Sequence, residues 1–225
     1  QGLEAVHQTV DRGGAPLAIV HRDVSPSNVL LSIHGDVKLS DFGIARALLA
    51  EERAQHSNRA KGKLGYLSPE QVRGRPVDQR ADLFAAGVVA AELLIGRELF
   101  AGGSELAILL AIRDANIAPF DRLAIDPDLK TAVRAALARD PDERVPSAAA
   151  FAASLEPHLR SPESAIRREI AELVRLASGA QDDDEGMQRT PEISHWADDA
   201  PPTPSTDVFI SIDVDLGARP SAAPT

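Results

Sequence analysis

The sequence predicts a mainly helical α+β domain with one small β-hairpin, followed by an acidic, irregular tail. Of its 225 residues, 44% are hydrophobic, so the chain is long enough to bury one sizeable core. Residues 28–42 contain two short strand patterns around a glycine turn, and helical patterns dominate from residue 68 onward. From about residue 178 the chain is rich in Pro, Ser and Asp, which predicts disorder.

The composition excludes several kinds of site and indicates a cellular compartment. The chain has no cysteine, which excludes disulfides and thiolate metal sites, and a reducing cytoplasm is the compartment that fits best. It contains neither a run of eighteen apolar residues nor a signal peptide, so we expect no membrane segment in it. The sequence begins with Gln1 and not with Met, which suggests a piece of a longer chain.

The negative charge is concentrated in the tail. Residues 178–225 hold ten acidic residues against Arg189 and Arg219, which accounts for −8 of the net charge of −10. The first 177 residues contain no basic patch, so we expect no nucleic-acid partner. The acidic tail itself is a candidate for binding a partner.

The first 67 residues predict a helix, a hairpin and a loop. Residues 2–10 have helical spacing and end at the breaker sequence DRGG. The sequence NVLLSIHGDVKLSDF, residues 28–42, predicts two short strands joined by a tight turn. Residues 44–67 lose all periodicity and predict a long loop, a feature that is usually functional in a compact domain.

Helices are predicted for most of residues 68–177. The segment ADLFAAGVVAAELLIG is apolar nearly all round, which indicates a buried helix. The other helices begin at Ser or at Pro-Asp signals, and the last, within 158–177, begins at the N-cap Ser161 with Pro162 as its first residue. In the tail, apolar and polar residues alternate in DVFISIDVDL, which is typical of a strand that could add to a partner's sheet. A chance apolar patch is the alternative interpretation.

Four short motifs occur in a fixed order along the chain. They are His21-Arg22-Asp23, Asn28, Asp41-Phe42-Gly43 and Ser68-Pro69-Glu70. This set resembles the protein kinase family, and in particular the eukaryotic-type Ser/Thr kinases of bacteria. The resemblance covers residues 1–157 and corresponds to the C-terminal lobe of that fold, a helical bundle whose β-hairpin carries the catalytic and metal-binding loops.

The resemblance implies transfer of the γ-phosphate of ATP to a Ser or Thr of a protein substrate, with Mg²⁺. Asp23, in the loop with His21 and Arg22, accepts the proton of the substrate hydroxyl, while Asn28 and Asp41 hold Mg²⁺ through oxygen atoms. Phe42 and Gly43 belong to the same nucleotide-binding segment as Asp41. Leu30 is expected under the adenine, although a core residue of a strand looks the same.

Three further residues match structural positions of the family. Asp82 corresponds to a buried aspartate that accepts backbone N–H bonds from the His21-Arg22 turn, with a simple helix N-cap as the alternative. Glu70 and Arg144 correspond to a buried ion pair between the end of the loop and the last helices.

The resemblance also suggests regulation by loop phosphorylation. Arg22 directly before Asp23 marks kinases that are switched in this way, and Arg46 matches a second basic contact to the phosphate. Apart from Tyr66, Ser57 is the only hydroxyl between Ile44 and Leu67. Phospho-Ser57 is therefore expected to pair with both arginines and order the loop, the alternative being a solvated loop serine.

Two positions depart from the Ser/Thr kinase pattern. Ser25 stands where the family has a lysine that touches the γ-phosphate, and Lys63 stands where it has a threonine. We interpret this as a compensating exchange in which Lys63 supplies the cation and Ser25 hydrogen-bonds toward Asp23. Decay of the site is the alternative.

The 225 residues contain no counterpart of the family's glycine-rich loop, strand lysine or hinge. We therefore expect a kinase fragment without the N-terminal lobe that is inactive on its own. The alternative is a truncated, non-catalytic binding or scaffold module that offers its docking surface and tail to partners.

Overall fold

A computed structural model describes residues 2–41 and 63–178 of the chain, and the backbone of residues 209–211. Within these residues, the helices are α1 (Gly2–His7), α2 (Pro69–Val72), α3 (Arg80–Ile95), α4 (Glu105–Arg113), α5 (Ala118–Asp121), α6 (Pro127–Ala136), α7 (Ala148–Leu155) and α8 (Glu163–Ser178). The strands are β1 (Val29–Ser32), β2 (Val37–Leu39) and β3 (Phe209–Ser211). Short 3-10 turns occupy Pro26–Asn28, Pro141–Glu143 and Glu156–His158.

Helix α3 lies at the centre of the fold, as its all-round apolar sequence predicts. Its residues Leu83, Phe84 and Val88 are at most 1% exposed, and burial of each such side chain contributes about 1.5–3 kcal/mol. The helix ends at Gly96, whose φ of 68° is the left-handed conformation that glycine adopts readily. The buried cluster around it comprises Phe84, Val88, Ala91, Leu99, Phe100, Ile112, Phe120, Val133 and Leu137.

Helices α3 and α6 approach each other closely at Gly87. A β-carbon at this position would lie 2.9 Å from the β-carbon of Ala136 and 3.2 Å from side-chain atoms of Leu137. The absence of a side chain therefore allows the two helices to pack in direct contact.

The predicted helix starts are largely confirmed by their caps. Ser68 and Gln71 form a capping box at α2, in which each side chain pairs with the other residue's backbone N–H. The side chains of Ser104, Asp126 and Ser147 accept backbone N–H bonds at the starts of α4, α6 and α7. Helix α5 has four residues, too few for a periodic signal, and the sequence did not predict it.

The predicted hairpin is present, and a third strand extends its sheet. Strand β1 pairs antiparallel with β2, with Val29 opposite Leu39 and Leu31 opposite Val37. Gly35, with a φ of 81°, forms the turn where a β-carbon would lie 1.9 Å from the carbonyl oxygen of Arg167 on α8. The turn thus needs glycine both for its backbone conformation and for its contact with α8.

Strand β3 pairs antiparallel with the other edge of β1, with Leu30 opposite Ser211, so that the strand order is β2-β1-β3. Two expectations need correction here. These three tail residues are ordered as a strand, and the strand joins the chain's own sheet and not that of a partner. The physical reason is that β1 has an unpaired edge, which an alternating apolar segment of the same chain can complete.

Among the described residues, no helix is both long and apolar enough to cross a membrane. Most of the loop predicted for residues 44–67, and all of the tail outside 209–211 after residue 178, lie outside the described residues.

Glu70 at the start of α2 and Arg144 form the predicted buried ion pair. The two terminal guanidinium nitrogens of Arg144 donate to the two carboxylate oxygens of Glu70 over 2.7 and 2.6 Å. Arg144 also donates to the carbonyls of Ala138 and Arg80, and its guanidinium lies 5.0 Å from the ring centre of Phe84. Burial opposes ionisation of Glu70, but the bonds from Arg144 and the backbone outweigh it, and its pKa is lowered.

We expect Arg144→Met to lower the free energy of unfolding by about 3–5 kcal/mol, because it leaves the Glu70 charge buried without its partner. Chemical denaturation of the full-length protein measures this loss. Because the pKa of Glu70 is lowered by folding, its stabilisation is present above the unfolded pKa and is lost as the pH falls through the folded pKa. The difference between wild type and variant should therefore shrink in acid.

The matched control is Arg134→Met, which removes an arginine from the exposed ion pair with Asp121. Exposed pairs contribute about 0–1 kcal/mol, so this variant should unfold nearly like the wild type. Equal losses in the two variants would contradict a special role for the buried pair.

Candidate active site

One buried carboxylate, that of Asp82 in the first turn of α3, holds the loop that contains Asp23. Its Oδ2 accepts the backbone N–H of His21 over 2.8 Å and its Oδ1 accepts that of Arg22 over 2.8 Å. A ring nitrogen of His7, at the end of α1, donates to Oδ2 over 2.9 Å. These contacts reach across the fold to the loop, and no side-chain cap bond is found at the start of α3, so Asp82 is a support for the loop and not a simple N-cap.

The loop conformation depends on this support. Arg22 has a φ of 65°, in the left-handed region that costs a non-glycine residue on the order of 1–2 kcal/mol. The fully buried His21 ring accepts the N–H of Asp23 at Nδ1 over 3.3 Å and contacts the carbonyl of Ser40 through Nε2 over 3.1 Å. Because a carbonyl can only accept, the proton of this ring lies on Nε2.

Asn28 connects the same loop to the hairpin. Its side-chain amide nitrogen donates to the carbonyl of Asp23 over 2.6 Å, which orients the amide so that its oxygen is the group that remains for a ligand. Its own carbonyl accepts the backbone N–H of Ser40 over 2.8 Å. Asp41 follows Ser40 directly, with a strained φ of 56°, so the two predicted metal ligands lie at the same end of the hairpin.

Lys63 lies directly against Asp23. Its ammonium nitrogen is 2.9 Å from Oδ2 of Asp23, and the side chains are 31% and 13% exposed, respectively. The hydroxyl of the buried Ser25 lies 3.1 Å from that of Ser27. The expectation that Ser25 bonds toward Asp23 is therefore wrong, because its side chain points into the turn Pro26–Asn28 while Lys63 takes the contact with the carboxylate.

The segment that carries Lys63 is attached to α3 through Tyr66. The hydroxyl of Tyr66 donates to Oε2 of the buried Glu92 over 2.7 Å, and the backbone N–H of Leu99 donates to Oε1 over 2.9 Å. Burial, and then the negative charge of Glu92, raises the pKa of Tyr66 well above its usual range. Burial also raises the pKa of Glu92, against the two hydrogen bonds that lower it.

The remaining sequence-predicted residues are placed as follows. Leu30 lies in the middle of β1, half-buried, opposite Lys38 of β2. Phe42, Gly43, Arg46 and Ser57 lie outside the described residues.

Sequence reasoning missed His7, Tyr66 and Glu92 as parts of this framework. Glu92 carried a usable signal, because a carboxylate in an otherwise apolar helix requires hydrogen-bond partners. His7 carried none, since its contact with Asp82 joins residues 75 positions apart in the sequence.

The chemistry of the donor set fits a hard divalent cation. An amide oxygen from Asn28 and a carboxylate from Asp41 are oxygen ligands of the kind that Mg²⁺ takes together with phosphate oxygens. Asp23 lies on the same loop as Asn28, where a carboxylate can orient a hydroxyl and accept its proton. A base beside oxygen ligands for a cation is the arrangement that phosphoryl transfer requires.

Comparisons with known proteins agree with this chemistry. The family model for the protein kinase domain matches residues 1–155. Tyrosine-protein kinase MasK of Myxococcus xanthus is 41% identical over 163 residues, which are 71% of this chain and 25% of that protein. Serine/threonine-protein kinase PknL of Mycobacterium tuberculosis is 40% identical over 158 residues, 69% of this chain and 37% of that protein.

Serine/threonine-protein kinase PknB of Mycolicibacterium smegmatis is 41% identical over 140 residues, 61% of this chain and 22% of that protein. The chain thus spans between about a fifth and somewhat over a third of the length of these relatives. It belongs to the protein kinase family, as the resemblance indicated.

Tyr66 should ionise at a higher pH in the folded protein than in the unfolded chain. Because folding raises its pKa, its contribution to stability is complete below the unfolded pKa of about 10 and is lost as the pH rises above that value. Alkaline titration of phenolate absorbance, with Tyr66→Phe as the blank, isolates this residue in the full-length protein.

Glu92→Gln should bring the ionisation of Tyr66 to a lower pH, because it removes the neighbouring negative charge. If the phenolate appeared at the same pH in folded and urea-unfolded protein, the buried Tyr66–Glu92 contact would be contradicted.

Proposed function

We propose that the protein is a Ser/Thr protein kinase that transfers the γ-phosphoryl group of ATP to a protein hydroxyl with Mg²⁺. The single observation that carries this proposal is the placement of Asp23 on one hydrogen-bonded loop with Asn28, which in turn is bonded to the residue before Asp41. A family member that used its surface only for binding would have no need of this base and these two oxygen ligands.

In the proposed reaction Asp23 receives the proton of the acceptor hydroxyl, and Asn28 and Asp41 hold the metal. Mg²⁺, when bound, neutralises charge on the phosphate oxygens. Asp82, through the backbone of His21 and Arg22, keeps Asp23 in place before substrate arrives, and such preorganisation is a main source of catalysis in phosphoryl transfer. Leu30, in the middle of β1, is proposed to pack against the adenine.

Specificity for Ser and Thr is the finer part of the proposal. PknL and PknB are named as Ser/Thr kinases, whereas MasK is named as a tyrosine kinase. Pro26, the first residue of the turn Pro26–Asn28, matches the pattern of Ser/Thr kinases and favours that class. We further propose that full activity requires a phosphate-covering loop and a phosphate-holding lysine, which the described residues do not contain.

In a protein that carries this chain together with the phosphate-covering loop and the phosphate-holding lysine, Asp23→Asn should lower the rate of phosphoryl transfer by about 10²–10⁴, because the variant cannot accept the hydroxyl proton. The measurement is transfer of labelled phosphate from ATP to protein in the presence of Mg²⁺, followed by identification of the phosphorylated amino acid. Phosphoserine or phosphothreonine is expected.

Asp128→Asn is the matched control, because Asp128 is an exposed carboxylate in the first turn of α6. It should leave the rate unchanged. Undiminished transfer by Asp23→Asn would contradict the role of Asp23 as the base. Phosphotyrosine as the sole product would contradict the proposed specificity for Ser and Thr. A wild type that binds protein partners but transfers no phosphate would favour the scaffold alternative.

A further inference from the structure

We infer that Lys63 is a catalytic residue that contacts both the base and the transferring phosphoryl group, an inference that rests on the proposed kinase function. Its ammonium nitrogen is 2.9 Å from Oδ2 of Asp23, and its side chain is partly open to solvent. Ser25, two residues after Asp23, is buried and bonded to Ser27, so it brings no charge to the site.

The distances place Lys63 within reach of the reaction. An acceptor hydroxyl that gives its proton to Asp23 lies within about 2.6–3.2 Å of the carboxylate. When the hydroxyl bonds to Oδ2, its oxygen is at most about 6 Å from Nζ of Lys63, and the phosphorus approaches that oxygen to about 3–3.5 Å before reaction. A lysine head on a flexible four-carbon stem can span this interval.

The ammonium group also has the donors that the role requires. It carries three N–H groups, and the contact with Asp23 uses one of them. The other two can donate to oxygens of the γ-phosphoryl group, whose charge is spread over those oxygens in the transition state. One cation can thereby hold the base and the phosphoryl group in a common geometry.

The step itself is balanced without any further reactant. The acceptor oxygen forms a bond to the γ-phosphorus while the bond from that phosphorus to the bridging oxygen of ADP breaks. ADP leaves with the electron pair of that bond, and the hydroxyl proton passes to Asp23 and then to solvent. Lys63 keeps its proton throughout and stabilises the negative oxygens.

The segment that follows Lys63 is bonded to the core of the fold. Tyr66, three residues later, is bonded to the buried Glu92, and Ser68 begins the capping box of α2. The ion pair between Glu70 and Arg144 follows. Lys63 therefore extends from the end of a supported segment, a condition that a precise catalytic contact requires.

The test uses initial rates, at varied ATP concentrations, of the same protein that carries this chain together with the phosphate-covering loop and the phosphate-holding lysine. Lys63→Met should lower kcat by about 10²–10³, the loss typical of removing one donor to a transition state. The KM for ATP should change by less than about threefold, because a contact made only in the transition state lowers kcat and kcat/KM together. Lys130→Met is the matched control, since Lys130 bonds, among the described residues, to the carbonyl oxygens of Asp121 and Leu123, and its loss should leave both constants unchanged.

A second pair of variants moves the charge within the site. Lys63→Thr should be as inactive as Lys63→Met, while Ser25→Lys combined with Lys63→Thr should regain at least about tenfold in kcat, because it returns an ammonium group to the site from the other side. Thermal unfolding identifies a double variant that fails to fold, and the kinetics of Lys63→Met then provide the test alone.

The outcomes separate the two proposals. If Lys63→Met kept kcat within about threefold of the wild type while Asp23→Asn was inactive, the role of Lys63 would be overturned and the kinase function would stand. A higher KM for ATP with unchanged kcat would likewise overturn it, since Lys63 would then act in ground-state binding. If the wild type transferred no phosphate and Asp23→Asn behaved identically, the proposed function itself would fail, and the inference with it.

Discussion

The hydrogen bonds of the Asp82 carboxylate are the constraint on which the rest of the site depends. A buried carboxylate is costly unless its oxygens are satisfied, and here they accept two backbone N–H groups and one histidine N–H. Because Asp82 belongs to α3, whose neighbouring side chains form the core, the position of the His21-Arg22 backbone follows from core packing. The strained conformation of Arg22 accompanies the bond from its backbone N–H to Oδ1 of Asp82, and this bond helps to offset the strain.

Helix α3 supports both halves of the site. Asp82 in its first turn holds the loop with Asp23, and Glu92, ten residues and about 15 Å further along the helix, holds the segment with Lys63 through Tyr66. One helix thus supports both the loop of Asp23 and the segment of Lys63, whose side chains contact each other. The apolar sequence of α3 and its two buried carboxylates have one physical explanation: the helix forms the core and at the same time positions polar groups at the edge of the core.

Much of this was predictable, for identifiable reasons. The apolar run of α3, the Ser and Asp caps and the glycine turn of the hairpin are local signals that no distant contact overrides. The contacts of Asp82 and of Glu70 with Arg144 followed from a family resemblance and not from local pattern. Three features were not predictable from local patterns: the contact of His7 with Asp82, the turn position of the Ser25 hydroxyl and the pairing of β3 with β1. They form only when the chain has folded, and no local sequence pattern specifies them.

The position of Lys63 has a consequence for the proposed reaction. A lysine at position 25, within the loop of Asp23, would be held in place through Asp82 whether or not residues 63–68 were in place. Lys63 instead depends on the contact of Tyr66 with Glu92 and on the cap at Ser68. If Lys63 acts as proposed, displacement of residues 63–68 also removes the contact of Lys63 with the phosphoryl group. Phosphoryl transfer then requires this segment to be in place.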